Sequence, residues 1–253
     1  MHSTLPKQFL YGLGYVIVFA GLGYVFYLGF LKPAPTCSDG IQNQGETETD
    51  CGGSACISCA IIHLKPVTAS AEIVGSGEAA VVLVTLANPN AAYGLQTLTY
   101  AVRLIAADGS PVGELERESF LYPGEIRRIL ALGMAGVAAA ARVEASAAFV
   151  NESWQPLAVF PLPQVSVRQK AVAPADDGAF TLSGIIRNEN PFVLSRLTLV
   201  AVAQDPGGSP ASASQTLLQD LAPFSERFFS IAFPRAGSLP PASGVEVFVE
   251  AQR

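Results

Sequence analysis

Hydrophobic and polar positions follow three successive patterns along this chain. Residues 9–31 are apolar and carry no charged side chain. An acidic segment over residues 37–59 then holds all four cysteines. Beyond it, short runs alternate between apolar and polar residues with a period of two, which is typical of half-buried strands. The sequence therefore predicts a membrane-spanning helix, a small disulfide-rich segment and an all-β region.

The apolar run over residues 9–31 is long enough to cross a membrane as a helix. It would extend about 34 Å, against a hydrocarbon core of roughly 30 Å. A cleaved signal peptide is the alternative, but its apolar region is normally about 7–15 residues long, and Pro33 and Pro35 flank the obvious cleavage site. We expect an uncleaved anchor in the cell membrane with residues 1–8 in the cytoplasm, because Lys7 precedes the helix and acidic residues follow it.

Two glycines of this helix, Gly14 and Gly21, are seven residues apart and share one helical face. Small residues let membrane helices approach closely, so this face is predicted to mediate helix association. The alternative is that glycine is simply common in membrane helices, and the sequence of this helix lacks a GxxxG motif.

The four cysteines predict two disulfides in an oxidising compartment; they are Cys37, Cys51, Cys56 and Cys59. Residues 32–60 are too few to bury a core of their own and need covalent links to hold one shape. Four cysteines allow three pairings, and their spacing does not choose among them. A zinc site or a redox dithiol is the alternative, although only Cys56 and Cys59 form a CxxC pair and no thioredoxin-like pattern surrounds it.

The loop between the first two cysteines is rich in oxygen donors. Its candidate Ca²⁺ ligands are Asp39, Asn43, Glu46 and Asp50. Ca²⁺ prefers carboxylate and carbonyl oxygens, but the spacing does not match the EF-hand pattern. A solvated acidic loop is therefore the alternative, and no other cofactor is predicted.

The cysteines, together with Asp39, Gly40, Asn43, Glu46, Thr47, Asp50, Gly52 and Gly53, fit the pattern CxDGxxNxxETDxDCGGxCxxC. The segment therefore resembles a short motif of secreted bacterial surface proteins. It departs from that motif by one extra residue between Gly53 and Cys56, and by Glu48 where Asp is usual. The resemblance implies a bacterial cell-surface context and no particular activity.

Beyond residue 60 the sequence repeats itself at an interval of about 100 residues. The corresponding positions are Asn88 with Asn188, Leu98 with Leu197, Gly109-Ser110-Pro111 with Gly208-Ser209-Pro210, Pro123 with Pro223, and Val143-Glu144 with Val245-Glu246. We predict an internal duplication with one domain over residues 66–152 and another over residues 165–253. The Pro-rich residues 153–164 would link them, with Trp154 wedged between the domains; the alternative is that Trp154 is exposed for a partner.

Each copy is predicted to consist of short strands joined by turns. Phe180, Leu182 and Ile186 alternate with polar residues, as in a strand with one buried face. Residues 80–86 are apolar on both parities, so we expect a central strand that is covered on both faces. The predicted fold is an all-β ectodomain of two tandem immunoglobulin-like β-sandwiches after the transmembrane helix and the disulfide-rich segment.

Residues 184–188, Gly207-Gly208 and Leu221-Ala222-Pro223 form a series of turns and strands that also occurs in the first copy. Both copies resemble the bacterial FxLYD family in this respect, although residues 102–105 and 201–204 stand where the FxLYD string would be. The turn at residues 88–90 is also similar to that of water-stress domains of the late-embryogenesis-abundant type 2. The resemblance implies an extracytoplasmic β-sandwich with a non-catalytic role.

Charge and catalytic motifs narrow the function further. Of the 15 basic residues two lie at or before Lys32, whereas all 21 acidic residues follow it, so the ectodomain carries a net charge of about −8. This charge repels nucleic acid. His63 is the one histidine beyond the helix, and the sequence holds no phosphate-binding loop, GxSxG or HExxH motif.

We therefore expect a non-catalytic, single-pass surface protein rather than an enzyme. Residues 9–31 would contact membrane lipid, and the two β-domains would bind protein partners in the envelope or assemble into a membrane machine. The alternative function is an extracytoplasmic sensor that binds Ca²⁺ or a small ligand through the cysteine-rich loop.

Overall fold

The computed structural model describes residues 5–31, 36–43, 45–234 and 240–253. The chain is mostly β-sheet, with one apolar N-terminal helix and a disulfide-linked segment, as the sequence predicts. It divides into two compact units, Met1–His63 and Leu64–Arg253.

The first unit begins with helix α1, Leu5–Phe26, which continues as a π-helical turn over Tyr27–Leu31. The stretch Phe9–Phe30 is long and apolar enough to span a membrane, and none of it is buried against described residues. Both Gly14 and Gly21 leave open space where a side chain would lie, since no atom is within 4 Å. The helix therefore presents an uncovered apolar surface all round.

The predicted disulfides form in the same unit. Cys37 is bonded to Cys56, and Cys51 is bonded to Cys59. The short helix α2, Cys59–Ile62, follows directly. All four sulfur atoms are used in this way, so none is a free thiolate that could bind zinc or act as a dithiol.

The described part of the second unit contains thirteen strands, and all pairings are antiparallel. They are β1 Thr68–Val74, β2 Val81–Ala87, β3 Tyr93–Ile105, β4 Pro111–Leu121, β5 Ile126–Leu130, β6 Arg142–Ala148, β7 Trp154–Pro156, β8 Val165–Pro174, β9 Phe180–Asn188, β10 Leu194–Gln204, β11 Pro210–Leu221, β12 Glu226–Phe233 and β13 Val245–Gln252.

Four separate sheets result, and their strand order is the same in both halves of the unit. The first repeat has the orders β1-β2-β5 and β4-β3-β6, with β7 added to β3. The second repeat has β8-β9-β12 and β11-β10-β13. No strand of one sheet pairs with a strand of another among the described residues, so the sheets remain open.

The strand register supports the internal duplication, because equivalent residues of the two repeats form equivalent cross-strand pairs. Leu104 pairs with Val143 in the first repeat, as Ala203 pairs with Val245 in the second. Both hairpins that start from these central strands also shift register at the same place, just before the pair formed with Pro111 or Pro210. The correspondences predicted from the sequence therefore lie at equivalent positions of the two repeats.

The core of the second repeat lies between its two sheets. Phe180, Leu182 and Ile186 of β9 are buried there, as the alternation predicted. They pack with buried residues of the facing strands, among them Leu197 and Leu199 of β10. Burial of each such side chain stabilises the fold by about 1.5–3 kcal/mol. The alternation of apolar and polar residues therefore determines which face of the strand points inward.

Strand β2 is the central strand of its sheet and is covered on both faces, as expected. Val82 and Val84 lie on one face, and Leu83 lies on the other; all three are completely buried. Leu83 packs in a cluster with Val200 and Val202 of β10. The second apolar face of β2 is therefore explained by its contact with the second repeat.

Trp154 does not have the expected place between the repeats. It lies in β7, pairs with Leu95 of β3, and is 5% exposed. Its ring meets Phe149 edge-on, with the centroids 5.5 Å apart. The first residues of the Pro-rich segment thus extend a sheet of the first repeat, because an indole ring gains more from burial in a sheet than from an open linker.

Candidate functional site

The junction between the two repeats is the most elaborate side-chain arrangement of the second unit. An apolar cluster forms its centre, where Leu83 of β2 and Leu130 of β5 face Val200, Val202 and Ala213 of the second repeat. The contact is made by the outer face of β1-β2-β5 and the outer face of β11-β10-β13. Removal of these side chains from water stabilises the pair of repeats as one unit.

A buried ion pair lies beside this cluster. Arg127 of β5 donates from Nε to Oε1 of Glu125 at 2.9 Å and from Nη2 to Oε2 at 3.0 Å. Glu250 of β13 approaches Nη1 of Arg127 to 3.8 Å, and the guanidinium lies 3.8 Å from the ring centroid of Phe120. Because its guanidinium has hydrogen-bond and cation–π partners, the charge of Arg127 is tolerated in a buried place.

Tyr122 connects the same region to the backbone of the second repeat. Its hydroxyl donates to the carbonyl oxygen of Ala251 at 2.9 Å, and its ring lies 4.5 Å from that of Phe160. Burial raises the pKa of Tyr122 to about 12, so its phenol is neutral at ordinary pH. A neutral donor suits this contact, since the carbonyl offers no compensating charge.

These contacts place the two repeats side by side with the same ends aligned. Tyr122 lies at the β4–β5 turn of the first repeat. Ala251 pairs with Leu197 near the start of β10, the end of the second repeat that carries the β11–β12 turn. We call this shared end the proximal end, because the chain enters the unit there at Leu64 and Lys65. The opposite end is the distal end.

The outer faces that do not meet in the junction are polar at equivalent positions. The cross-strand pair Leu83–Leu130 of the junction corresponds to Ser183–Ser230 in the second repeat. The pair Val202–Ala213 likewise corresponds to Arg103 and Glu114, whose side chains form an exposed ion pair at 3.0 Å. The apolar contact is therefore made once, and solvated faces stand where a third repeat would otherwise pack.

A buried asparagine organises the proximal end of each repeat. Asn88 donates from Nδ2 to the carbonyl oxygens of Tyr93 and Tyr122, and its Oδ1 accepts the backbone N–H of Asn90. Asn90 in turn exchanges two hydrogen bonds with the backbone of Lys65. The asparagine thus ties two loops and the incoming chain together.

The second repeat has the same arrangement. Asn188 donates to the carbonyl oxygens of Phe192, Leu221 and Ala222, and Asn190 exchanges two hydrogen bonds with the backbone of Gln164. Only an amide both donates and accepts in this way, which explains why asparagine occupies both positions.

The predicted Ca²⁺ ligands lie together in the first unit. Asp39 accepts from Nδ2 of Asn43 and from the backbone N–H of Ile41, both at 2.9 Å. The hydrogen bond from Asn43, followed by that from the backbone of Thr36, holds the pKa of Asp39 below its usual value. Oδ1 of Asn43 has no hydrogen-bond partner among the described residues.

The other two acidic residues also bind the backbone of the loop. Glu46 is buried and accepts the N–H groups of Asn43 and Asp50. Asp50 accepts the N–H of Gly40 with both carboxylate oxygens. The four side chains therefore shape the disulfide-linked loop. The acidic and cysteine side chains that cluster among the described residues are instead Cys37, Glu46 and Cys56, and Glu48, Cys51 and Cys59.

Several side chains of the junction were not predicted from the sequence. Glu125 lies just after the turn that precedes β5, and Arg127 is the second residue of that strand, so the ion pair is a local contact over two residues. That spacing was a signal in the sequence. Glu250 and Ala251 gave none, because their contacts are made across the two repeats.

Neither a protein-family model nor a curated protein sequence matches this chain. Among solved structures, transglutaminase from red sea bream shows a distant likeness, with 12% sequence identity and a TM-score of 0.24. The match covers 74% of this chain and 29% of the transglutaminase chain. A likeness of this size says nothing about activity.

Proposed function

We propose that this chain is a non-catalytic, membrane-anchored surface protein whose two-domain ectodomain binds other proteins of the envelope or of a membrane complex. The observation that carries the proposal is the junction, in which an apolar cluster, the Tyr122–Ala251 hydrogen bond and the approach of Glu250 to Arg127 join the two repeats. A pair of domains fixed in this way presents its faces and edge strands in constant relative positions. Such a unit is suited to assembly rather than to chemistry.

Each repeat is proposed to be an immunoglobulin-like β-sandwich related to the FxLYD family. Two antiparallel sheets with the same core strand order in both repeats, and a buried core in the second, support this class. The cysteine-rich motif supports a surface location, since its two disulfides require an oxidising compartment. The apolar stretch Phe9–Phe30 would then cross the membrane with the N-terminus in the cytoplasm.

A candidate protein contact lies on the outer face of β8-β9-β12. Phe228 on edge strand β12 is 65% exposed there. Its position in the strand register corresponds to that of Arg128, whose guanidinium covers the ring of Phe248 in the junction. A position that contacts the neighbouring repeat in one domain thus carries an uncovered aromatic side chain in the other. Exposed aromatic residues of edge strands are suited to protein contacts.

The test is co-purification from the native membrane with detergent, followed by size-exclusion chromatography and mass spectrometry of whatever co-elutes. We expect stoichiometric partner proteins with the wild-type chain and at least a severalfold loss with Phe228→Ser. Leu132→Ser, a change at another exposed apolar residue, is the matched control and should retain them. A chain that elutes alone in all three cases would refute the proposal.

A Ca²⁺-binding role of the cysteine-rich loop is the second candidate. The contact of Asn43 with Asp39, and the Oδ1 of Asn43 that has no partner among the described residues, favour it. Calorimetric titration of the full chain with CaCl₂ tests it, with Asp39→Asn as the variant. Heat of binding that this variant abolishes would support a calcium site, whereas equal signals from both chains would exclude one at Asp39.

A further inference from the structure

Exposed apolar side chains of the second unit are concentrated at its proximal end. Leu157, Val159 and Leu162 lie on the connection between the repeats, and Val193 and Phe224 lie on loops of the second repeat; all are exposed. We name these five residues the apolar rim. Ile126 and Val150, which are also exposed, adjoin the same end.

The position of the rim follows from hydrogen bonds within the second unit. The N–H of Leu157 binds the carbonyl oxygen of Ala92, and Gln164 binds Asn190, so the connection runs along the proximal end of both repeats. Val193 and Phe224 belong to the two loops that Asn188 holds together. The chain itself enters the unit at this end, at Lys65.

The distal end has the opposite character. Its four hairpin turns carry the carboxylates Glu78, Asp108, Asp176 and Asp205 and no basic residue. Hydrogen bonds from Ser110 hold the pKa of Asp108 below its usual value, so this carboxyl is ionised. Leu132 is the one large exposed apolar residue described at the distal end. The two ends therefore differ in their exposed apolar side chains, whereas exposed charged residues such as Asp220, Glu226 and Arg227 also lie at the proximal end.

Phe224 shows that the rim is not simply a loop with random apolar residues. It follows Pro223 with a φ of 55°, in the left-handed region that a bulky side chain rarely adopts. The equivalent residue of the first repeat is Gly124, with a φ of 68°. An exposed phenylalanine thus occupies a position where glycine would be less strained.

We infer that the apolar rim lies in the interfacial region of a lipid bilayer, with the distal end directed away from it. This inference rests on the proposed anchoring of the chain through its apolar helix. Exposed aromatic and aliphatic side chains are stable at the boundary between headgroups and acyl chains. The residues that precede Leu64 tether the proximal end, which reduces the cost of bringing the rim to the membrane.

Fluorescence quenching in nanodiscs tests the inference with the full chain. The discs contain phosphatidylcholine, either plain or brominated in the upper part of its acyl chains. The single tryptophan, Trp154, is buried and provides a constant background. Val159→Trp and Phe224→Trp each add a reporter to the rim, and Leu132→Trp adds one to the distal end. Each variant is compared between the two kinds of disc.

Both rim reporters are expected to lose about half of their emission in brominated discs, as groups about 5–10 Å deep would. Leu132→Trp and the wild-type chain should lose none. Equal emission from the rim reporters in the two kinds of disc would overturn the inference. A blue shift without quenching would also overturn it, since that result indicates a protein contact at the rim.

The same preparation separates this inference from the proposed function. A chain that does not elute with the discs is not anchored by its helix, and both ideas then fail. A chain that elutes with the discs while its rim reporters remain unquenched refutes only the position of the rim. The two rim positions are independent, because Val159 is in the connection and carries none of the backbone strain of Phe224.

Discussion

Arg127 and Glu125 form a paired hydrogen bond in the junction, with both side chains almost completely buried. The equivalent arginine of the second repeat, Arg227, is exposed and binds backbone carbonyl oxygens of Gln219 and Asp220 instead. The residue that corresponds to Glu125 is Ser225. The first repeat therefore places a charge pair where the second repeat approaches, and Glu250 of the second repeat lies 3.8 Å from its guanidinium.

Replacement of Arg127 by leucine is expected to lower the free energy of unfolding by about 3–5 kcal/mol, because Glu125 then remains buried and unpaired. Arg227→Leu is the matched control and should cost at most about 1 kcal/mol, since that arginine is exposed. Urea denaturation in detergent, followed by Trp154 fluorescence, measures both. Equal costs for the two variants would contradict the proposed role of the pair.

The double variant Glu125→Leu with Arg127→Leu separates charge burial from packing. Apolar residues of similar size often replace a buried ion pair without loss. We expect the double variant to recover at least about 2 kcal/mol of what Arg127→Leu loses. If it is as unstable as the single variant, an unpaired charge is not the cause; the loss then comes from packing against Phe120 or from the Tyr122 N–H, which donates to Glu125 in the wild-type chain.

Tyr122 provides a prediction about pH. Its pKa is raised by burial from an ordinary value near 10 to about 12. The folded chain keeps a proton that the unfolded chain releases in this window, so stability is full below pH 10 and falls between pH 10 and 12. The slope contributed by Tyr122 is at most about 1.4 kcal/mol per pH unit.

Tyr122→Phe removes this proton and the hydrogen bond to Ala251. At pH 9 the variant should be less stable than wild type by about 1 kcal/mol, and this difference should shrink as the pH rises to 11. Urea midpoints at both pH values measure the change. Tyr100, whose pKa is also raised by burial, is present in both chains and cancels. A constant difference would show that Tyr122 does not titrate as proposed.

Whether an interaction could be predicted from the sequence depends on how far apart its residues lie along the chain. Alternation within one strand placed Leu182 and Ile186 in the core, because the period of two is a local property. The double-sided apolar pattern of residues 80–86 even signalled a second contact surface. The partner of that surface and the contact of Arg127 with Glu250 were not predicted, since they join residues that are distant in the sequence.

The disulfide pairing is a further case in which the sequence was insufficient. In a segment as short as residues 37–59 every pairing brings the cysteines within reach, so only the fold of the loop selects Cys37–Cys56 and Cys51–Cys59. Trp154 was misplaced for a related reason. The Pro-rich composition around it predicted a linker, whereas pairing with Leu95 makes it part of a sheet.

Phe224→Gly should stabilise the chain, which is unusual for removal of a large apolar residue. The φ of 55° costs a bulky residue about 1–2 kcal/mol, whereas glycine adopts it freely. Allowing for the greater freedom of glycine in the unfolded chain, we expect a gain of about 0.5–1 kcal/mol. Gly124→Phe in the first repeat is the mirror-image variant and should lose about 1–2 kcal/mol. A loss of stability in Phe224→Gly would mean that the aromatic ring makes a stabilising contact in the folded chain.

Asn88 and Asn188 give a matched pair of predictions, one in each repeat. Alanine at either position removes the side-chain donor to two or three loop carbonyl oxygens, of which those of Tyr122 and Ala222 keep a backbone donor, and we expect a loss of about 1–3 kcal/mol in each case. Aspartate should be at least as damaging, since a carboxylate accepts but does not donate. Asn151→Ala, at an exposed asparagine, is the control and should change stability by less than about 0.5 kcal/mol. Hydrogen exchange of the loop amides then shows whether each variant opens its own repeat.

The two disulfides should differ in how much they stabilise the first unit. Cys37–Cys56 closes a loop with a sequence separation of 19, and Cys51–Cys59 one with a separation of 8. The entropy of loop closure predicts contributions of about 3.2 and about 2.5 kcal/mol respectively. Replacing Cys37 and Cys56 by serine should therefore increase proteolysis of residues 37–59 more than replacing Cys51 and Cys59. Cleavage is followed by mass spectrometry of non-reduced digests, which also identifies the pairing in the wild-type chain. Detection of Cys37 linked to Cys51, or the reverse order of protease sensitivity, would contradict this arrangement. Unchanged protection of the second unit from the protease would show that the disulfides act within their own segment.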